Sequence, residues 1–96
     1  MHLFGETITY VPGNGGKTRT IAARVIRDTP LVKDDIVYQG IVAVVYDDAT
    51  NGIEASKIDA GRDKVRVSLI EGGPVEPRSI GQILSRANGQ VKFEIT

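Results

Sequence analysis

The chain contains no cysteine and a single histidine, His2. The absence of cysteine excludes disulfides, thiolate metal ligands and a thiol nucleophile, so the stability of the fold has to come from packing. His2 lies beside the initiator methionine, where chains are usually poorly ordered, and one histidine cannot form a metal cluster or a catalytic dyad by itself. Thiol chemistry and paired-histidine chemistry within one copy are therefore excluded.

Long apolar runs and net charge are also missing. The longest apolar run is IVAVVY, residues 41–46, which is too short to span a membrane, and the N-terminal MHLFGETITY lacks the basic-then-apolar order of a signal peptide. Twelve basic and twelve acidic side chains give a net charge of zero, which argues against a large electrostatic footprint for nucleic acid. We expect synthesis in the cytoplasm, no membrane partner and no specific nucleic-acid partner.

What the sequence does contain is a globular composition with a period of two. Its 96 residues are 41% hydrophobic and 25% charged, which fits one domain, residues 1–96, that buries roughly two-thirds of its unfolded surface. Apolar residues recur at alternate positions, and the breaks are rich in Gly, Asn, Asp and Pro. The segment IEASKIDAGRD, residues 53–63, has a hint of helical spacing over one turn. The sequence predicts an all-β fold, a small antiparallel β-barrel or sandwich of five to six strands with at most one short helical turn.

Several strands and turns can be assigned individually. The Asn-Gly pair in RANGQ tolerates positive φ at both positions, which predicts a tight hairpin before VKFEI. EGGPVEP, residues 71–77, is expected to form a loop because of its glycines and prolines, and IVAVVY is expected to form a central strand covered on both faces. The predicted inward-facing residues are Ile8, Tyr10, Ile21, Ala23, Val25, Val65, Val67, Leu69, Val91, Phe93 and Ile95.

Residues 28–40 interrupt the alternation. Asp28, Pro30, Asp34, Asp35 and Gly40 divide the segment into small apolar islands without a settled period, which predicts a long mobile loop. Charge is also unevenly distributed, since residues 17–27 are basic and residues 28–63 carry eight acids against three bases. This segregation indicates either complementary surfaces, within the fold or between copies, or solvated faces that differ in charge.

The sequence VPGNGGKTRT, residues 11–20, resembles the end of a phosphate-binding loop. That loop requires G-x-x-x-x-G-K-[ST] between a buried parallel strand and a helix. Gly16, Lys17 and Thr18 fit the pattern, but Val11 occupies the position of the first glycine, and the following TRTIAARVIR has a strand period. The segment is predicted to be a glycine-rich hairpin loop that joins strands 7–11 and 18–26.

Other chemical motifs are incomplete as well. In DDATNGIE, Asp47, Asn51 and Gly52 match a calcium-binding loop, but Ala49 and Ile58 occupy two ligand positions, which favours an ordinary turn and leaves a weak surface cation site at Asp47 and Asp48 as an alternative. The acidic pairs Asp34-Asp35 and Asp47-Asp48 lie in loop-like sequence with no sign of a cleft. We expect no catalytic residue, no metal, no cofactor and no enzymatic activity.

Five aromatic residues bear on nucleic-acid binding. An oligonucleotide-binding barrel needs exposed aromatics among basic residues. Tyr10, Tyr46 and Phe93 lie on strand faces where a core position is the simpler interpretation, whereas Tyr38 is in the predicted loop and Phe4 is near the terminus. A small β-barrel that binds nucleic acid or a ligand remains the alternative interpretation of the sequence.

The order of elements resembles the small head-tail joining proteins, or head-tail connectors, of tailed phages and prophages. The resemblance is carried by LFGETITYVPGNGG, a TIAARVIRD-type strand entering a long variable loop, the connector GIEASKIDAGRDKVRV and the final RSIGQILSRANGQVKFEI hairpin. It spans nearly the whole chain and is one of layout and turn positions. Larger members carry an N-terminal helical extension, for which this sequence shows no pattern.

The resemblance implies a non-enzymatic virion-assembly protein. Such proteins are small β-barrels that form rings between the portal complex of the capsid and the tail, so the implied partners are portal or head-completion proteins, tail proteins and other copies of the chain. The implied location is the head-tail junction of the virion. We hypothesise that the 28–40 loop of one copy and the basic strand 17–27 of the next help to close a ring; alternatively, the apolar residues of the loop fold back over their own core. The candidate interface residues are Leu31, Val32, Ile36, Val37, Tyr38, Lys17, Arg19, Arg24 and Arg27.

Overall fold

Six antiparallel strands and one 3₁₀ turn make up the part of the protein described by the computed structural model, residues 5–68, 70 and 72–96. The strands are β1 (Glu6–Val11), β2 (Arg19–Lys33), β3 (Ile36–Tyr46), β4 (Lys64–Ser68), β5 (Val75–Ala87) and β6 (Gln90–Ile95), and the 3₁₀ turn is Ala55–Lys57. The predicted all-β fold of five to six strands with at most one helical turn is confirmed.

The strands form a closed barrel in the order β1-β2-β3-β6-β5-β4, and every neighbouring pair is antiparallel. The closure depends on the long strand β5. Its residues 75–79 pair with β4, and its residues 80–87 pair with β6 through two register shifts. Because a register shift bends a strand and increases its twist, one strand can serve both halves of the barrel. The architecture is therefore a barrel rather than a sandwich.

The barrel interior is filled by alternate residues of the strands, as the period of two predicts. Phe93, Val65, Val91 and Ile80 are fully buried, and Val25 is packed against the core while partly exposed. Leu69, which was also predicted to face inward, lies outside the described residues. The buried core cluster comprises Ile8, Tyr10, Ile21, Ala23, Ala43, Val45, Ile53, Ala55, Val65, Val67, Ile80, Val91, Phe93 and Ile95.

The two predicted hairpin connections are confirmed. Asn88 and Gly89 have φ of 56° and 72° between the paired residues Ala87 and Gln90, which is the combination that a type I′ hairpin requires. The glycine-rich segment 12–18 joins β1 to β2, which pair in antiparallel fashion from Glu6 with Ala23 to Tyr10 with Arg19. The GGKT sequence is thus part of a hairpin loop.

The predicted long loop at residues 28–40 is wrong. Residues 29–33 of β2 pair with residues 36–40 of β3, and the chain reverses at Asp34 and Asp35. Both aspartates have positive φ, 52° and 64°, so they form a two-residue turn of the kind usually built from Asn and Gly. The segment is a β-hairpin.

The strand-breaking residues of this hairpin occupy positions that tolerate them. Asp28, with φ of 70°, lies in a bulge where two residues of β2 oppose one residue of β3. Pro30 lies in a part of β2 that pairs with β3 alone within the described chain, so its missing N–H can face the open edge. At Gly40 an added Cβ would overlap the Leu31 side chain, so glycine allows close packing there.

The loop predicted for EGGPVEP is partly wrong for a related reason. β5 begins at Val75, and Pro77 pairs with Arg66 of β4. β5 pairs with β6 from Ile80 onward, so Pro77 also lies where the strand has a single described partner. Proline marked an edge position here rather than a break in the strand.

Candidate functional site

The β2–β3 hairpin continues beyond the barrel as a two-stranded ribbon, which we define as residues 29–40. Within the described chain these residues pair with each other and with no further strand. β1 pairs with β2 as far as Ala23, and β6 pairs with β3 from Ile41 onward. The ribbon therefore has two edges without a strand partner among the described residues.

One face of the ribbon is turned toward the barrel's outer surface. The Tyr38 hydroxyl donates a 2.6 Å hydrogen bond to Oε2 of Glu94, a buried residue on β6, and Gln82 Nε2 donates a 3.2 Å bond to the other carboxylate oxygen. The bond to Glu94 is the main reason that the pKa of Tyr38 is raised above its ordinary value. Leu31, paired with Tyr38 across the ribbon, is buried. Part of the ribbon thus packs on its own protein, as the fold-back alternative expected.

The remaining apolar residues of the ribbon face solvent. Val32, Val37 and Ile36 are each 65% exposed, although β-branched residues of this size are usually packed in strands. Val32 and Val37 are directly paired, so they form one apolar patch on the face opposite Leu31 and Tyr38. Of the five predicted apolar interface residues, three are exposed and two are engaged within the chain.

The four predicted basic residues do not form one surface. Arg27 is held within the chain, since its guanidinium contacts Glu6 Oε1 at 3.1 Å and donates two 3.1 Å bonds to the Ser68 carbonyl. Arg24 is exposed in the middle of β2, while Lys17 and Arg19 lie near the start of that strand. The basic strand 17–27 is therefore divided, and Arg27 has a structural role at the seam between β1 and β4.

Lys17 and Arg19 line a cleft of about 380 Å³ at the end of the barrel where β2 begins, and we call this the end cleft. Its apolar surface comes from Pro12, Ala49 and Ile53, together with the Tyr10 ring. The Arg19 guanidinium lies 5.5 Å from the centre of the Tyr10 ring and donates a 2.7 Å hydrogen bond to the Ala49 carbonyl. Neither acidic pair of the sequence, Asp34-Asp35 or Asp47-Asp48, lines this cleft.

Asp63 organises the base of the end cleft, and its importance was missed in the sequence. This buried carboxylate accepts hydrogen bonds from the Tyr10 hydroxyl at 2.7 Å, the Gly13 amide at 2.7 Å and the Asp59 amide at 3.0 Å. Burial, the bond to Asp63 and the nearby negative charge raise the pKa of Tyr10. A Cβ at Gly13 would lie 2.6 Å from the Arg62 carbonyl carbon, so glycine is required for this close approach. The sequence signal that could have identified Asp63 is its position directly before the alternating strand β4.

The loop amides do not form a phosphate cradle. Gly16 N donates to Asn14 Oδ1 at 2.8 Å, Gly15 N donates to the Pro12 carbonyl at 3.4 Å, and the loop leads into β2. These amides are satisfied by the loop itself. The glycine-rich segment therefore forms one wall of the end cleft as a structured turn.

The Asp47-Asp48 segment is also a structured turn. Asp48 Oδ1 accepts hydrogen bonds from the Thr50 and Asn51 amides, at 2.9 and 2.5 Å, and the bond from Asn51 is the main cause of the lowered pKa of Asp48. Asp47 Oδ1 accepts a 2.8 Å bond from the Ala55 amide. Among the described residues no group of three or more His, Cys, Asp or Glu side chains is placed to hold a metal ion.

The aromatic residues are divided between core and surface. Tyr10 and Phe93 are buried, as predicted, whereas Tyr46 is half-buried on β3. Tyr38 lies in β3 rather than in a loop and is half-buried against Glu94. His2 and Phe4 lie outside the described residues. None of the helices in the described ranges is long and apolar enough to cross a membrane.

Comparisons of the chain with protein-family models, with curated proteins and with solved structures find no match.

Proposed function

We propose that this protein is a non-enzymatic assembly module of the head-tail joining type, which forms a ring at the junction of a phage head and tail. The observation that supports this most directly is the β2–β3 ribbon, where Val32, Ile36 and Val37 are each 65% exposed. Clustered exposed apolar residues on a folded domain mark contact sites with other proteins. The ribbon is held to its barrel by Tyr38 and Leu31, so the opposite face, which carries Val32 and Val37, is available to a neighbour.

The chemistry of the described residues is consistent with an assembly role. Asp63 and Glu94, the two buried carboxylates, are each bonded to a tyrosine hydroxyl and to a further donor. Buried carboxylates whose oxygens accept hydrogen bonds from the protein itself serve to position loops and strands. The proposed partners are the portal or head-completion protein, a tail protein and further copies of this chain.

The test is a ribbon variant in a phage or prophage that encodes this chain. The triple variant Val32→Thr, Ile36→Thr and Val37→Thr retains the β-branched shape of the side chains but replaces methyl groups with hydroxyls. We expect unjoined full heads and free tails by electron microscopy. The matched control is Val75→Thr, since Val75 is 66% exposed on β5 and is not part of the ribbon; it should leave joined particles at the normal level.

Two outcomes would contradict the proposal at different levels. Normal joining by the triple variant would remove the ribbon from the contact. Normal joining by a phage that lacks the whole gene would remove the head-tail joining function itself. The alternative, a nucleic-acid-binding barrel, predicts saturable binding of single-stranded oligonucleotide to the purified chain at low salt, with an affinity that falls as salt is added.

A further inference from the structure

The ribbon and the end cleft lie at opposite ends of β2. Arg19, the first residue of the strand, lines the cleft, and Lys33, the last residue, precedes the ribbon turn. Because an extended strand keeps its ends apart, a ribbon cannot enter the cleft of its own copy. A contact between these two features has to join different molecules.

The two features are complementary in polarity. The ribbon turn presents Asp34 and Asp35, and Lys33 and the exposed side chains of Val32 and Ile36 lie beside them. The end cleft presents an apolar surface from Pro12 and Ala49, with Lys17 and Arg19 beside it. The acidic turn therefore matches the side of the recess that carries Lys17 and Arg19, which favours association and fixes its orientation.

The cleft lining also contains Lys57 and three acids, Glu54, Asp59 and Asp63, and each of these acids is engaged by other groups. Glu54 is paired with Lys57 at 3.8 Å, Asp59 is paired with Arg62 at 3.4 Å, and Asp63 is used by its three donors. Neither Lys17 nor Arg19 forms a salt bridge within the described chain, and the same holds for the turn aspartates. Arg19 is also held by the Tyr10 ring and the Ala49 carbonyl. Lys17 on the cleft and the turn aspartates on the ribbon therefore have opposite charges that no ion pair within the described residues neutralises.

The cleft has room for a side-chain cluster of this kind. Its volume of about 380 Å³ lies within the range of roughly 300–1,000 Å³ that is typical of sites enclosing a small ligand. The hairpin tip is two strands wide, or about 5 Å between strand axes, so it enters as a narrow element. A volume of this size admits side chains of the turn.

We propose that the ribbon tip of one copy docks in the end cleft of the next copy, so that the subunits associate head to tail. This inference rests on the proposed assembly function and specifies its self-contact. Because each copy contributes a different surface on its two sides, the contact is heterologous, and repetition of such a contact generates a ring when the rotation closes. The acceptor surface is narrower than the whole basic strand 17–27, since Arg27 is already bound to Glu6 and Ser68.

Cysteine crosslinking can test the contact cleanly because the chain has no cysteine of its own. Val37→Cys places a thiol on the ribbon, and Ala49→Cys places one at the exposed rim of the cleft. With a short bismaleimide, at millimolar chain concentration and in joined particles, we expect the double variant to give a ladder of oligomers. A mixture of the two single variants should stop at a dimer.

The controls distinguish head-to-tail contact from other association. Pairing Ala49→Cys with Val75→Cys, a thiol at an equally exposed site, should give no ladder. Adding Lys17→Glu to the double variant should reduce the ladder severalfold at low salt, because a like charge then faces Asp34 and Asp35. If Val37→Cys alone dimerises as readily as the mixture, or if the double variant gives no ladder, the inference is wrong. Loss of the ladder with normal particle joining would leave the proposed function intact.

Discussion

Two tyrosine-carboxylate pairs hold opposite parts of the molecule, and they differ in how strongly they are built into the fold. Tyr10 and Asp63 are both buried at the end cleft, and Asp63 also binds two backbone amides. Tyr38 is half-buried on the ribbon, and Glu94 accepts from the side chains of Tyr38 and Gln82. The same pair of residue types thus fixes the barrel at one end and attaches a surface hairpin at the other.

The difference suggests a division of roles, in which the end cleft is a rigid acceptor for a docked partner and the ribbon is an adjustable arm. The Asp63 carboxylate joins the 12–18 loop, the turn before β4 and strand β1, so the shape of the end cleft is tied to global folding. The Tyr38 bond joins the ribbon to β6 alone, and the ribbon lacks described strand neighbours on its outer edges. Elements with few partners open at lower free energy than the core.

The largest expected effect on stability is at the end cleft. Asp63→Ala would leave the Tyr10 hydroxyl and the Gly13 and Asp59 amides without their acceptor. Since each buried unsatisfied group costs about 1–3 kcal/mol, we expect the free energy of unfolding to fall by about 3–5 kcal/mol in urea denaturation. Asp63→Asn is the matched control and should lose less, because it keeps one oxygen acceptor. A loss below about 1 kcal/mol for the alanine variant would remove Asp63 from this role.

The barrel was predictable from the sequence because alternation, Asn-Gly chemistry and glycine spacing are local signals. Ile21, Ala23 and Phe93 face inward for the reason the pattern indicated, which is that a strand alternates its side chains between two faces. The ribbon was not predictable in the same way. The bulge at Asp28 inserts one extra residue into β2. The alternation of inward and outward side chains before the bulge is therefore out of step with the alternation after it, and no single period of two covers the segment.

The candidate site was predicted only in part, for a related reason. The apolar residues of the ribbon were identified, but whether each is exposed depends on the long-range bond between Tyr38 and Glu94. The end cleft was missed because Asp63 meets Gly13 from fifty residues away in the chain. Sequence spacing carries no information about such a contact, and the charge pattern of residues 17–27 gave no sign that Arg27 binds Ser68.

The next effect in size concerns Tyr10 and has a pH dependence. Tyr10→Phe removes one donor to buried Asp63, so we expect a loss of about 1–3 kcal/mol near neutral pH. The pKa of Tyr10 is raised in the folded state above its ordinary value of 10.0. Above that pH the unfolded chain loses its proton first, so the native protein loses stability as pH rises further.

Tyr10→Phe has no ionisable group at this position. The difference in free energy of unfolding between the unchanged protein and this variant should therefore shrink between neutral pH and about pH 11. Tyr38, whose pKa is also raised, is present in both proteins and cancels from the comparison. Urea denaturation at the two pH values measures the difference. A gap that stays constant or widens would show that the Tyr10 hydroxyl ionises at least as readily in the folded protein as in the unfolded chain.

The smallest expected effect is at the ribbon, where Tyr38→Phe removes the hydroxyl but keeps the ring. Glu94 retains its bond from Gln82, so we expect the midpoint of urea denaturation to change less than in Tyr10→Phe. Amide hydrogen exchange should instead become severalfold faster in residues 29–40 and stay unchanged in β6, because the lost bond connects one hairpin to the barrel. Tyr10→Phe should give the converse pattern, with faster exchange throughout the barrel. If Tyr38→Phe accelerates exchange equally in the ribbon and the core, the ribbon is not a separately opening element, and the distinction between a rigid acceptor and an adjustable arm does not hold.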